Sequence, residues 1–418
     1  MSHVIKQKSI KEMQQSAIEQ SAQPVVQNPK EMLRLELLIS LEKYTKAIFK
    51  AQYNRSFVVS EHHRKIFEAL QNVVDGKCRR LIINMPPRYS KTEIVVKMFM
   101  SWCFALNPKC RFLHLSYSDI LVYDNSETIR SAMQTELYKA LFPQSQLASE
   151  KGSAKRWRTK AGGELYAVST QGQVTGFGAG AVDLDPDIDK LDGGSDVFVF
   201  DDHTNEMLSM IGAKSNAFQG AIVIDDPMKA SDSDSDLVRE RINQRFENTI
   251  RNRVNSRNTP IIIIMQRLHE HDLCGYLQEI EPEEWTVLSL PAIQVDKETG
   301  EEHALWPAKH TLDELYKLRK INPTVFETQY MQNPMPTEGL MYHEFKTYSV
   351  QELPSGNAAQ QRWCYVDTAD TGSDYLCAIC FINTPETVYV TDILYTQDPM
   401  EKTEVLLAKM LTENSTNE

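Results

Sequence analysis

The sequence predicts an α/β protein: a parallel sheet covered by helices on both faces, followed by a second, smaller α/β domain. Three observations predict it. Apolar runs of four to six residues (80–85, 110–115, 221–224 and 260–265) read as strands buried on both faces. Helical periodicities fall between the runs, giving the alternation of a parallel sheet. After Pro354-Ser355-Gly356 the pattern changes to three strand-like runs with short turns and one closing helix.

In chain order, residues 1–30 are polar, rich in Gln and Ser, and lack a sustained apolar period, which predicts a mobile arm. Met32, Leu35, Leu38, Leu41, Tyr44 and Ile48 recur at helical spacing and predict a helix over 31–48. A second helix is expected over 60–74, with Ser60 as its N-cap. The strand at 80–85 ends in Pro86-Pro87, and a long helical pattern (92–106) leads to the strand at 110–115. The strands at 221–224 and 260–265 are the most apolar, and 282–345 is loop-rich and punctuated by Pro. Strands at 363–368, 376–382 and 388–394 and a helix at 400–411 complete the chain. The expected domains are an N-terminal arm with helical character (1–50), a main α/β domain (51–281), a loop-rich linker (282–357) and a small domain (358–418).

With 418 residues, 41% hydrophobic and 24% charged, the chain is long enough for about two domains with real cores. No apolar run approaches the roughly 20 residues of a membrane-spanning helix. The N-terminal segment lacks the apolar core of a secretory signal, so a cytosolic protein is expected. Seven scattered cysteines fit reduced thiols, and the lone CxxC pair Cys377/Cys380, with no second pair, does not read as zinc. The net charge of −12 at first argues against a nucleic-acid partner. However, fourteen acids and three lysines between Val182 and Asp236 account for −11 of it, while Lys151, Lys155, Arg156, Arg158 and Lys160 form a basic decapeptide just upstream. The average charge excludes little.

Residues 81–93 have the shape of a Walker A element: a buried strand, a tight loop, and then Lys91 and Thr92 opening a helix. Backbone N–H groups and a helix N-terminus suit phosphates, Lys91 adds a point charge, and the Thr92 hydroxyl suits magnesium. The loop has no glycine, and Ser90 stands before the Lys. Residues 221–227 read as the partner Walker B strand, four apolar residues followed by Asp225-Asp226. One carboxylate suits the magnesium and the next an attacking water. The two motifs together predict ATP binding. A third strand ends in Gln266-Arg267, the place where motor ATPases sense the γ-phosphate.

Further pieces follow in order: His62-His63, the loop at 85–93, Thr175-Gly176-Phe177-Gly178, the strand at 221–227, 266–273, Leu290-Pro291-Ala292-Ile293, Leu305-Trp306-Pro307, 326–334 and Tyr365-Val366-Asp367. Over residues 55–412 they resemble the large terminase subunit of tailed bacteriophages, the ATP-driven motor and nuclease that packages viral DNA. The resemblance implies a P-loop ATPase domain followed by an incomplete ribonuclease-H-like nuclease domain. It implies that Arg88, Ser90, Lys91 and Thr92 bind ATP, that Thr92 and Asp225 hold Mg2+, and that Asp226, Arg88 and Gln266 act in hydrolysis. The implied partners are double-stranded DNA, contacted by the basic decapeptide, together with the capsid portal, a small terminase subunit and further copies in a ring. The implied location is the host bacterial cytoplasm.

The chain departs from the family pattern in two places. An acidic insertion of about 37 residues (182–218) precedes the Walker B strand and contains a near-copy of it, Asp196 to Asp202. Asp185, Asp187, Asp189 and Asp196 imitate part of a calcium loop, but Lys190 stands where the turn needs Gly, and no Glu closes the site. In the last domain Asp367 is the expected first-strand ligand of a Mg2+ or Mn2+ nuclease site, with Asp374 and Asp392 as helpers. Two-metal cleavage draws acids from several elements, and the chain stops at Glu418 before the usual late ones. The expectation is ATP hydrolysis without DNA cleavage by this chain alone. The alternatives are a helicase-like nucleic-acid ATPase and a non-catalytic truncated prophage remnant.

Overall fold

A computed structural model describes residues 28–148, 153–174, 176–181, 218–334, 346–354, 362–368, 375–384 and 387–414. The chain divides into two units, Met1–Thr337 and Glu338–Glu418.

In the first unit, helices α1 (Pro29–Ile39), α2 (Leu41–Tyr53) and α3 (Glu61–Val74) precede strand β1 (Arg80–Asn84). A wide π-helical turn, Glu93–Met98, runs into α4 (Phe99–Leu106) and then β2 (Arg111–Ser116), α5 (Asp119–Gln134) and α6 (Glu136–Leu141). Next come β3 (Arg156–Arg158), β4 (Glu164–Ser169), β5 (Ile222–Asp225), α7 (Asp236–Arg245), β6 (Ile261–Met265), α8 (Leu273–Ile280) and β7 (Thr286–Ser289). A hairpin of β8 (Ile293–Val295) and β9 (Glu302–Ala304) and helix α9 (Leu312–Ile321) follow.

The seven strands lie in the order β3-β4-β2-β5-β6-β1-β7, parallel except for β3. Strand alternation divides the core. Leu81, Ile83, Phe112, Val223, Ile262 and Ile264 meet α1–α6 on one face. Ile82, Leu113, Leu115, Ile222, Ile224, Ile261 and Ile263 meet α7, α8 and Trp285 on the other. The mixed α/β fold with a mainly parallel sheet is the one expected.

Three boundaries differ from the sequence reading. The helix expected over 31–48 is two helices, because Ser40 is extended (φ −139°) and its hydroxyl accepts from Lys43 N at 3.2 Å, capping α2. These helices are part of the main core rather than an arm: Leu37, Leu38, Leu41, Tyr44 and Ile48 are buried, and Trp102 Nε1 donates to Leu37 O at 2.9 Å. The stretch expected as a linker supplies β7, which pairs with β1, and a small core of Ala292, Ile293, Ala304, Leu315 and Phe326.

The second unit is an antiparallel sheet of β10 (Arg362–Asp367), β11 (Leu376–Asn383) and β12 (Val388–Thr396), with helix α10 (Met400–Glu413). Leu376, Ala378, Cys380 and Met410 form its core. Cys377 and Cys380, three apart on one strand, lie on opposite faces of β11, so they cannot share a metal. Among the described residues no helix is long and apolar enough to cross a membrane.

His114 on β2 is fully buried; its Nδ1 donates to Val223 O at 3.2 Å and its Nε2 accepts from Asn125 Nδ2 at 3.3 Å. The Asn125 contact needs the neutral ring, and burial lowers its pKa to about 4 against the opposing pull of the Val223 carbonyl. The unfolded chain takes up this proton near pH 6.5, so the contribution is present above that pH and is lost as pH falls toward 4. Urea unfolding of His114→Gln at pH 7 and pH 4.5 should show a loss of stability between the two smaller than wild type by about 1–3 kcal/mol.

Candidate functional site

Parallel strands end together, so the segments after β1, β5 and β6 meet at one edge of the sheet. Strand β6 lies between the other two, with Ile262 opposite Leu81 on one side and Val223 on the other. The loop after β1 reaches across the end of β6 to the carboxylates after β5. Lys91 Nζ donates to Asp226 Oδ1 at 2.7 Å, and Thr92 Oγ1 lies 3.1 and 2.9 Å from the two oxygens of Asp225. The backbone of Asp226 is stitched in place: its N–H donates to Ile264 O at 2.8 Å and its carbonyl accepts from Tyr117 N at 3.0 Å.

Local conformation explains how a loop without glycine makes this turn. Arg88 (φ 66°), Ser90 (φ 69°) and Asp226 (φ 45°) are three of the five non-glycine residues with left-handed backbone among the described residues. Each costs about 1–2 kcal/mol. Ser90 directly precedes Lys91, the position of the second glycine in the common phosphate loop, and it takes the conformation that glycine would supply. Its carbonyl accepts from Ile94 N at 3.0 Å and opens the helical turn that carries Lys91 and Thr92.

Between the strained residues, Tyr89 is fully buried. Its ring lies 6.0 Å from His62, 5.8 Å from Trp306 and 5.9 Å from His310, and Tyr89 Oη and His310 Nδ1 are 2.9 Å apart. His63 completes the box, 5.0 Å from Trp306, and its Nδ1 accepts from Ser60 N at 3.0 Å as part of the cap of α3. Burial lowers His62 to about pKa 4, and burial with the neighbouring His62 lowers His63 to about 3, so both rings are neutral. A buried ring of this size returns about 2–3 kcal/mol, the scale of the strain beside it.

Asp225 is 4% exposed, and its pKa is pushed up to about 7 by burial and then by the charge of Asp226. Lys91, the Thr92 hydroxyl and Lys97 act in the opposite sense. Lys97 is itself held by Glu93 at 2.9 Å.

Gln266 is the residue directly after β6, between the two loops, and is half-buried. Arg267 is committed to its own loop. Its Nε donates to both oxygens of Asp272 at 3.0 Å, its Nη2 to the carbonyls of His269 and Glu270 at 3.2 Å, and its N–H to Gln332 Oε1 at 3.0 Å.

The expected site residues thus separate into groups. Ser90, Lys91, Thr92, Asp225 and Asp226 converge, Gln266 stands at the same sheet edge, and Arg88 belongs to the loop with its side chain exposed. Asp374 and most of the acidic insertion, residues 182–217 with Asp196 to Asp202, lie outside the described residues. Asp367 ends β10 opposite Cys377, on the exposed face. Asp392 sits opposite Cys380, on the face that carries α10, and its Oδ2 accepts from Asn414 Nδ2 at 2.9 Å. The structure does not bring these two acids together. Among the described residues no group of three or more His, Cys, Asp or Glu side chains is placed to hold a metal ion. Of the basic decapeptide, Arg156 and Arg158 are exposed on β3 and both pair with buried Glu164, which Arg111 Nη2 approaches at 3.6 Å. The sequence carries no sign of a role for His310 or Lys97, and Tyr89, Trp306 and His62-His63 stand in it only as members of separate motif pieces, with nothing to join them.

The buried charge makes a test. Below about pH 4 Asp225 is protonated in both folded and unfolded states, and its penalty is absent; above about pH 7 the penalty is complete. Asp225→Asn should therefore raise the stability of the ligand-free protein by about 1–3 kcal/mol at pH 8 and by much less at pH 4.5, read by urea denaturation at both pH values.

No protein-family model matches the chain, and no curated protein matches it. The chain is similar to solved structures of the large terminase from a thermophilic bacteriophage, at 10% identity, 82% of this chain, 73% of that one and TM-score 0.34. For the same protein in complex with ADP, the identity and coverage are the same and the TM-score is 0.35. For the HK97 bacteriophage large terminase the values are 11%, 84%, 66% and 0.38. The overlap is loose, and the site is read from its own geometry.

Proposed function

We propose that this chain binds ATP with Mg2+ and hydrolyses it as the motor subunit that drives double-stranded viral DNA into a capsid. The observation that carries the ATP reading is the meeting of Lys91 and Thr92 with Asp226 and Asp225 across the end of β6, behind a left-handed Ser90. The packaging reading rests on the nine motif pieces in family order.

The residues fit the metal. Thr92 and Asp225 present hard oxygen donors side by side, and a buried carboxylate with a raised pKa lacks a matching positive charge. Bound there with ATP, Mg2+ would neutralise developing phosphate charge. The chain's own residues do the rest. The phosphates compete with Asp226 for Lys91, so binding opens that ion pair and releases Asp226. Its carboxylate then accepts a proton from the attacking water, Gln266 orients that water, and the exposed Arg88 guanidinium reaches the γ-phosphate. Ser90 shapes the loop whose N–H groups face the phosphates.

The reading extends to partners through charge. Arg156 and Arg158, two exposed side chains that share one buried Glu164, suit the DNA backbone, where positive charge acts without reading sequence. A capsid portal, a small terminase subunit, a ring of copies and the host cytoplasm belong to the same proposal. Asp367 is kept as one candidate ligand of a Mg2+ or Mn2+ nuclease site. Asp392 is not, because its carboxylate accepts from the side chain of Asn414, the residue that ends α10, on the other face.

Purified protein should hydrolyse ATP in the presence of Mg2+, faster with duplex than with single-stranded DNA. Lys91→Ala should lose on the order of 100-fold or more in kcat/KM. Asp226→Asn should keep nucleotide affinity while losing turnover on a similar scale. A wild-type chain that neither binds nor hydrolyses ATP, with or without duplex DNA, refutes the reading.

A further inference from the structure

Two left-handed non-glycine residues flank one fully buried aromatic in the loop after β1. Backbone strain of this kind persists only where the surroundings over-determine it. Neighbouring segments do so here: Tyr89 is enclosed by His62 and His63 from α3 and by Trp306 and His310 from the segment after β9. The ring cannot leave its box without moving Arg88 and Ser90, whose carbonyl starts the helical turn bearing Lys91 and Thr92.

We propose that Tyr89, locked by His310 and Trp306, is a positioning residue that holds Ser90 left-handed and so substitutes for the glycine that this nucleotide loop lacks. The consequence rests on the ATP reading: the box sets the aim of Lys91 and Thr92, and the segment carrying Trp306 and His310 becomes part of the nucleotide site without touching nucleotide. Loosening the box lets Ser90 relax toward the right-handed region and turns its carbonyl away from Ile94 N. The damage is in ground-state phosphate binding.

The test is a coupling experiment with Ser90→Gly as the second background, because glycine holds the left-handed conformation without an anchor. Affinity for ADP with Mg2+ is measured by calorimetry and ATP turnover by initial rates. In the wild-type background, Tyr89→Leu and His310→Ala should each weaken ADP binding by about tenfold and raise KM more than they lower kcat. In the Ser90→Gly background the same changes should cost no more than about threefold, a coupling within the usual range for residues in contact. Equal losses in the two backgrounds overturn the proposal, since a merely structural tyrosine is indifferent to residue 90. Thermal melting of the same set, without nucleotide, gives a second readout: Ser90→Gly should raise Tm less in the His310→Ala protein than in wild type, because Ser90 has already shed its strain there. If wild type binds no nucleotide the ATP reading fails, and the melting coupling alone still decides whether Tyr89 anchors the loop. If Tyr89→Leu does not fold, Tyr89→Phe and His310→Ala, which keep the ring or the loop intact, carry the comparison.

Discussion

A carboxylate buried at the end of a central strand is costly, and Asp225 is the group around which this edge of the sheet is arranged. At 4% exposure, beside the charge of Asp226, it must be met by hydroxyl or cation. The chain meets it with the first helical turn after β1, which brings Thr92 to Asp225, Lys91 to Asp226 and the Lys97 charge close behind. That turn arrives in register only if the loop bends sharply at residues 88–90. Without glycine the bend falls on left-handed Arg88 and Ser90, and the box around Tyr89 offsets the cost.

The same demand explains the bulk on one side of the sheet. Every residue of Phe99–Leu106 is buried. A helix that is apolar all round needs cover on both sides, and here the sheet supplies one wall and α1, α2, α5 and α6 the other. Leu37 O takes the Trp102 indole N–H, so even the outermost layer is tied to the helix that continues the phosphate-side turn. The helices before β1 are therefore part of what keeps Lys91 and Thr92 aimed.

That linkage also shows what was legible in the sequence. The strands β1, β5 and β6 were plain because burial on both faces leaves unbroken apolar runs, and the carboxylates and lysine sit at their ends where parallel topology places a site. Ser40 leaves no mark as a break, because one extended residue leaves the apolar spacing from Met32 to Ile48 nearly undisturbed. β7 is not legible, because an edge strand is specified by backbone pairing; Thr286, Val287 and Ser289 are exposed and carry no pattern. The box joins Tyr89 to His310, 221 positions along the chain, beyond any periodicity. Asp392 was a reasonable helper by order along the chain, and only the register with Cys380 shows that it faces the helix.

Two buried aspartates in this unit show how a site differs from a structural ion pair. Asp272, fully buried, accepts five hydrogen bonds: two from Arg267 Nε and one each from the N–H groups of Leu268, His269 and Gly275. Its charge is answered by the fold, so it fixes the loop after β6 and leaves nothing for a ligand to add. Asp225 has one hydroxyl donor among the described residues, a like charge next door, and a lysine committed to that neighbour. A ligand carrying phosphates and a divalent cation would relieve each of these at once, drawing Lys91 to the phosphates and giving Asp225 its counter-charge. The uncompensated charge of Asp225 is therefore the observation on which the proposed ATP and Mg2+ reading leans most.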